Sequence, residues 1–133
     1  MTAKDQTDLS RIRVVCSRFP EAEESLLQDR PLFHVRRRRF AIYNGDNSPY
    51  RKRWAGFGRS LHFATDKSVL ADLQSDSRFI VSPHHGPSGW LSIDLRKDSF
   101  DWSEVSELLF QAYRCAANRK LISGLNKDTS GHA

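Results

Sequence analysis

The sequence predicts an α+β fold, with an antiparallel sheet covered on one face by helices and the element order α-β-β-β-β-α-β-β-α. Two observations support this prediction. Three segments place apolar residues at helical spacing, whereas the segments between them alternate apolar and polar residues, as strands do. The length of 133 residues and the apolar content of 38% allow one hydrophobic core and are too small for two. We therefore expect one domain over residues 7–123, with a flexible N-terminus at 1–6 and a flexible tail at 124–133.

Local signals predict where the helices begin and end. Thr7 can cap the first helix, and Pro20 marks its end. The third helix has the strongest start signal, because Asp101 is followed three residues later by Glu104, as in a capping box. The second helix opens at Thr65 or Asp66. The apolar faces of the three helices are predicted to carry Leu9, Ile12, Phe19, Val69, Leu70, Leu73, Val105, Leu108, Leu109 and Ala112.

The strands are predicted from period-two alternation and from the turn residues between them. In the last strand Leu91 and Ile93 point inward, whereas Ser92 and Asp94 point outward. With helices on one side, the other face of the sheet stays available for a partner. The predicted strands cover residues 24–27, 32–36, 39–43, 60–64, 79–83 and 90–95.

The composition also bears on location. No apolar stretch is long enough to span a membrane, and the start MTAKDQTDLS lacks the apolar segment of a secretory signal. The sequence thus predicts a cytoplasmic protein with no membrane contact. Cys16 and Cys115 lie far apart within apolar-periodic segments, which favours small core residues over a disulfide or a metal site.

The positive charge is concentrated in one part of the chain. The formal net charge is +5, yet the segment from Arg30 to Arg59 holds nine basic residues against the single acid Asp46. A concentrated basic patch attracts polyanions through its long-range field, although it also serves solubility.

Four consecutive arginines, Arg36 to Arg39, stand between two alternating segments and so occupy a predicted hairpin tip. Opposed like charges destabilise a strand pair, and tight turns favour Gly or Asn at their centre. The presence of arginine at positions where it is locally unfavourable indicates contact with a polyanion. The alternative is a charged tip that only protects against aggregation. The expected register pairs Val35 with Phe40, Phe33 with Ile42 and Arg36 with Arg39, around a turn at Arg37 and Arg38.

A second basic cluster follows in the connection PYRKRWAGFGR. It mixes cations with aromatic rings, a combination that can neutralise phosphates and stack on an unpaired base. The alternative is a small satellite core in which the rings fold back and the cations stay in water. The residues of this cluster that we expect to contact nucleic acid are Arg51, Lys52, Arg53, Trp54 and Arg59.

Four segments, in order, resemble the MmcQ/YjbR family over roughly residues 9–122: PLFHVRRRRFAIYNGD, SLHFATDKSVLADL, SPHHGPSGWLSIDL and DWSEVSELLFQAYRCAANRKL. The resemblance implies a frataxin-like fold and a protein of the kind usually labelled DNA-binding, and it implies no catalytic residues. This chain departs from the family where the four arginines replace a Gly-containing turn. Its first helix also lacks the acidic ridge that hard cations require, so the resemblance to frataxin implies no iron chemistry.

Histidines offer two weaker hypotheses. His84 and His85 are adjacent, so they point to opposite sides of an extended chain and cannot easily share a metal ion. We therefore predict no metal site and no cofactor. A small-molecule groove lined by His62, His84, His85 and Trp90 is the other hypothesis.

The sequence shows no catalytic constellation. Ser82 near His84 lacks a third orienting group, and neither a nucleophile elbow nor a phosphate-binding glycine loop is present. We expect a non-enzymatic nucleic-acid-binding module, with DNA rather than RNA as partner, that is a monomer or a weak homodimer. The alternative is a protein-partner or small-ligand domain that uses the open face of the sheet.

Overall fold

Three helices and six strands follow one another in the predicted order within the part of the chain that the structure describes. The structure is a computed structural model that describes residues 2–27, 30–45, 59–81, 89–97 and 100–117, with backbone alone at 67–69. Helices α1, α2 and α3 span Ala3–Cys16, Lys67–Gln74 and Trp102–Ala116, and strands β1 to β6 span Ala22–Leu27, Arg30–Val35, Arg38–Asn44, Ser60–Ala64, Phe79–Val81 and Trp90–Asp94.

The six strands form one antiparallel sheet in the spatial order β1-β2-β3-β4-β6-β5. Each of the first three strands pairs with the next one in sequence, whereas β4 pairs with β6. Helix α2 connects β4 to the edge strand β5. This arrangement confirms the predicted α+β class.

One face of the sheet carries α1 and α3. Phe33, Ala41, Phe63 and Leu91 form a row across four neighbouring strands on this side, and all four are buried. The helices contribute five of the side chains that α1 and α3 were predicted to bury, whereas Leu108 is only half-buried. Leu9, Ile12, Val105, Leu109 and Ala112 are all 0% exposed.

The opposite face is also buried at its centre, which corrects the expectation of an open sheet face. Leu32, Ile42, His62 and Ser92 form a row across four strands, with exposures of 6%, 0%, 0% and 0%. A partner therefore has no access to this row. The large exposed apolar residues of the sheet lie on the edge strands instead, at Leu26, Ile80 and Val81.

Helix α1 begins earlier than predicted. Thr2, and not Thr7, is its cap: the Thr2 hydroxyl accepts from the Asp5 N–H at 3.1 Å, and Asp5 Oδ2 accepts from the Thr2 N–H at 3.0 Å. Residues 2–6, expected to lie outside the domain, therefore form the cap and first turn. Thr7 lies inside the helix and donates to the Ala3 carbonyl.

The start of α3 is as predicted, because Asp101 caps it and accepts from the Glu104 N–H at 2.8 Å. The Glu104 side chain binds Arg78 instead of completing a capping box. No helix within the described ranges is both long and apolar enough to span a membrane.

Candidate functional site

The arginine hairpin has a different register from the predicted one. Its two-residue turn is Arg36-Arg37, and Val35 pairs with Arg38. Arg36 and Arg37 have φ values of +46° and +70°, both in the left-handed region. Two successive residues with positive φ are the mark of a type I′ turn, in which Asn and Gly are preferred. The prediction of Arg37-Arg38 as the turn and of Arg36 opposite Arg39 is therefore wrong.

A β-bulge explains the difference. Phe33 pairs with Ala41 and His34 pairs with Arg39, so Phe40 is an extra residue on β3. The bulge lets Phe40 point towards the helices, where its ring lies 5.8 Å from Tyr113 and 6.3 Å from Phe19. A regular strand would place Phe40 on the same face as Ile42, away from these rings.

The arginines at the tip differ in their surroundings. Arg36 forms an exposed ion pair with Glu21, with Nη2 and Oε2 2.7 Å apart. Arg37, Arg38 and Arg39 are exposed, and their side chains form no ion pair or hydrogen bond with any residue that the structure describes. Three guanidinium groups thus face solvent at the end of the hairpin.

Arg59 does not belong to this surface. Its Nε lies 2.7 Å from Asp8 Oδ2 and its Nη2 lies 3.0 Å from Asp8 Oδ1, and its side chain is only 14% exposed. The hydrogen bond with Asp8 raises the pKa of Arg59 above its ordinary value. The prediction that Arg59 contacts nucleic acid is therefore corrected, because its guanidinium is bound within the fold.

Arg59 also lies at the opposite end of β3 from the arginine tip. Asn44 pairs with Ser60, the residue next to Arg59, whereas the tip adjoins Arg38. At about 3.3 Å per residue, the two ends of β3 are about 20 Å apart. The tip and the end of the 46–58 connection at Arg59 therefore lie on different parts of the molecule.

Asp8 is part of a buried polar cluster that the sequence reasoning missed. The Tyr43 hydroxyl lies 2.7 Å from Asp5 Oδ1 and 2.7 Å from Asp8 Oδ2, and both carboxylates are almost fully buried. Burial, followed by the hydrogen bonds to Asp5 and Asp8, raises the pKa of Tyr43 well above its ordinary value. A signal was present in the sequence, because Asp5 and Asp8 share the helix face of Leu9 and Ile12. Acidic residues on the apolar face of a helix indicate that their carboxylates are buried and have hydrogen-bonding or basic partners in the fold.

The predicted small-molecule groove is not supported by its described members. His62 is 0% exposed and its Nε2 lies 3.0 Å from the Ser60 hydroxyl, so it is part of the interior. Trp90 is also buried, at 7% exposure. His84 and His85 lie outside the described residues, as do Arg51, Lys52, Arg53 and Trp54.

The described residues contain no group of three or more His, Cys, Asp or Glu placed to hold a metal ion. Cys16 and Cys115 are free cysteines, and Cys16 is buried as predicted. The prediction that Cys115 is a core residue is wrong, because its side chain is exposed on α3. Burial raises the pKa of the Cys16 thiol to about 12, which keeps it protonated and unreactive at neutral pH.

Comparisons with known proteins found a family model and a solved structure that resemble this chain. A protein-family model described as YjbR matches residues 17–115. A solved structure of a protein from Pseudomonas syringae superposes with a TM-score of 0.59 at 9% sequence identity, over 88% of this chain and 100% of that one. At this identity the likeness concerns the fold alone. No curated protein matches the chain.

Proposed function

The chain belongs to the YjbR family, and from this premise we propose that it is a nucleic-acid-binding protein whose main contact is the exposed tip Arg37–Arg39. DNA is the expected partner, bound chiefly through its phosphates. This is the function that the resemblance to the family implied, now assigned to the hairpin tip and without Arg59.

The observation that supports this proposal most is the conformation of the tip. A left-handed conformation costs about 1–2 kcal/mol for a residue other than Gly, and Arg36 and Arg37 both adopt it. The guanidinium groups of Arg37, Arg38 and Arg39 lie at this end of the hairpin and repel one another, with no described acid to neutralise them. A polyanion would relieve that repulsion, and it would give a reason for arginine where Asn-Gly would fold better.

The chemistry of arginine sets the kind of binding. Arginine–phosphate contacts position a protein on nucleic acid and carry little sequence information, so we expect weak discrimination between sequences. Three phosphate contacts would give a slope of log affinity against log salt of about −2.7 on duplex DNA. Arg51, Lys52, Arg53 and Trp54 remain predicted as a second contact.

Fluorescence anisotropy of a labelled random-sequence duplex, titrated at two salt concentrations, tests the proposal. We expect the double variant Arg38→Ser/Arg39→Ser to reduce the salt slope by about 2 and to weaken binding several-fold. The control is Lys4→Ser/Lys97→Ser, which removes the same charge from two exposed positions on other elements. If both double variants weaken DNA binding equally, net charge alone determines the affinity. An unchanged affinity in the Arg38→Ser/Arg39→Ser variant would contradict the proposal.

The alternative function, a partner or ligand domain that uses the second sheet face, loses its basis. The row Leu32–Ile42–His62–Ser92 is buried, so that face offers no exposed centre to bind.

A further inference from the structure

A groove lies between α1 and the start of α3. It has a volume of about 430 Å³. Its lining comes from α1, from the turn that follows α1 and from the start of α3, and consists of Ser10, Arg11, Val14, Val15, Arg18, Trp102 and Ser106. Val14 is 55% exposed, whereas Ile12, two residues earlier on α1, is 0% exposed. Together with the half-buried Val15 and Trp102, Val14 makes a contiguous apolar surface with a polar rim, which is a feature of surfaces that bind a partner.

The groove combines an apolar floor with positive charge. The Arg11 guanidinium carbon lies 5.1 Å from the centroid of the Trp102 ring, a cation–π contact at one end. Arg18 stands at the other end, and its side chain makes no ion pair with the residues described. None of the described lining residues is a carboxylate.

We propose that this groove binds an acidic amphipathic helix of a partner protein. Arg18 lies in the turn just after α1, where its N–H donates to the Val15 carbonyl at 3.2 Å. Because this turn continues the winding of the helix, the seven residues from Arg11 to Arg18 correspond to about 10 Å at a rise of about 1.5 Å per residue. A helix lying along the groove presents carboxylates at positions i and i+7 with the same spacing. Its apolar residues at i+3 and i+4 then meet Val14 and Trp102, as in other helix-in-groove complexes.

The same features argue against nucleic acid as the occupant. The floor of the groove is apolar, whereas phosphates dominate the contacts of nucleic-acid surfaces. One face of the Trp102 ring is also covered by Arg11, so a base stacking there would have to displace the guanidinium. The inference is independent of the arginine hairpin, because Arg37–Arg39 are absent from the lining.

The experiment uses two labelled helical peptides of about five turns, or about 18 residues, with the full chain in an anisotropy titration. Both have the same composition, with leucines on one face. In the first, two glutamates spaced i and i+7 flank the leucine stripe, and in the second they are moved to the opposite face. We expect saturable binding of the first peptide and at least about tenfold weaker binding of the second, because only the first brings charge to the arginines.

Variants locate the binding surface. Arg11→Ser/Arg18→Ser should weaken the first peptide at least about tenfold, whereas Arg38→Ser/Arg39→Ser, which loses the same charge at the hairpin, should bind it as the parent does. Val14→Asp should also abolish binding. Its control, Gln6→Glu, adds the same charge at an exposed α1 position outside the groove. Thermal unfolding by circular dichroism checks that each variant is folded.

Four outcomes would overturn the proposal. The first is equal binding of both peptides, or of neither. The second is unchanged affinity in the Arg11→Ser/Arg18→Ser variant. Loss of labelled single-stranded DNA binding in that variant, but not in the hairpin variant, would make the groove a nucleic-acid surface. A dimer in sedimentation that Val14→Asp abolishes would make a second copy of this chain the occupant.

Discussion

Arg59 and Asp8 form a two-point ion pair with side chains 14% and 3% exposed, the least exposed ion pair among the described residues. Removal of one partner leaves the other charge buried without its counterion, which is costly. We expect Arg59→Ala to lower the free energy of unfolding by about 3 kcal/mol, measured by urea denaturation.

The matched control for this loss is Arg13→Ala. Arg13 also forms a two-point pair, with Glu24, but the two side chains are 48% and 29% exposed. An exposed pair contributes about 0–1 kcal/mol. Equal destabilisation by Arg13→Ala and Arg59→Ala would contradict the role given to burial.

The Tyr43 hydroxyl should matter more to stability than the Tyr113 hydroxyl. The Tyr43 hydroxyl lies within hydrogen-bond distance of two buried carboxylates, those of Asp5 and Asp8. The Tyr113 hydroxyl donates to the single Pro20 carbonyl at 2.8 Å. A buried polar group without its partner costs about 1–3 kcal/mol. Tyr43→Phe should therefore lower the free energy of unfolding by an amount in the upper part of that range. Tyr113→Phe should cost about 1 kcal/mol. Urea midpoints of the two variants give the comparison, and a larger loss in Tyr113→Phe would refute it.

Stability should fall in alkaline solution, partly because of Cys16. Burial raises the pKa of its thiol from 9.0 to about 12, so the folded state holds a proton that the unfolded state releases. This contribution is fully present below pH 9.0 and is lost as pH rises towards about 12. Urea unfolding at about pH 8 and about pH 10.5 should show a smaller decline for Cys16→Ala than for the parent chain. An identical decline in the two proteins would rule out this role of the thiol.

The side chain of Arg37 should lower the stability of the turn and strengthen the binding of DNA. Arg37→Gly removes the side chain that disfavours φ of +70°, so we expect it to raise the free energy of unfolding by about 1 kcal/mol. The same variant should weaken DNA binding in the anisotropy assay. Arg38→Gly is the control, because Arg38 lies in β3, where glycine lowers stability. Destabilisation by Arg37→Gly would argue against strain at the turn.

The sequence predicted those features that depend on neighbouring residues. The order of helices and strands follows from the hydrophobic period, and the α3 cap at Asp101 follows from a local hydrogen bond. Thr2 was also recognisable, since Asp5 stands three residues after it, whereas Ser10 stands three after Thr7.

The features that the sequence did not predict depend on tertiary contacts. The bulge at Phe40 forms because Phe19 and Tyr113 offer an aromatic site on the helix side, and neither ring is close to Phe40 in sequence. The same holds for Arg59, whose basic side chain looks like a surface residue until Asp8 is placed beside it. Composition indicated a polyanion partner, but the position of each arginine had to come from the fold.

The cluster around Tyr43 has a consequence for synthesis on the ribosome. Helix α1 emerges before β3 and β4, and Asp8 meets Tyr43 and Arg59 across 35 and 51 residues of chain. At about 5–20 residues per second, about 3–10 s pass before Arg59 follows Asp8 out of the ribosome. During that time Asp5 and Asp8 lack the partners that they have in the folded state, so we expect α1 to dock only after Tyr43 and Arg59 have been translated.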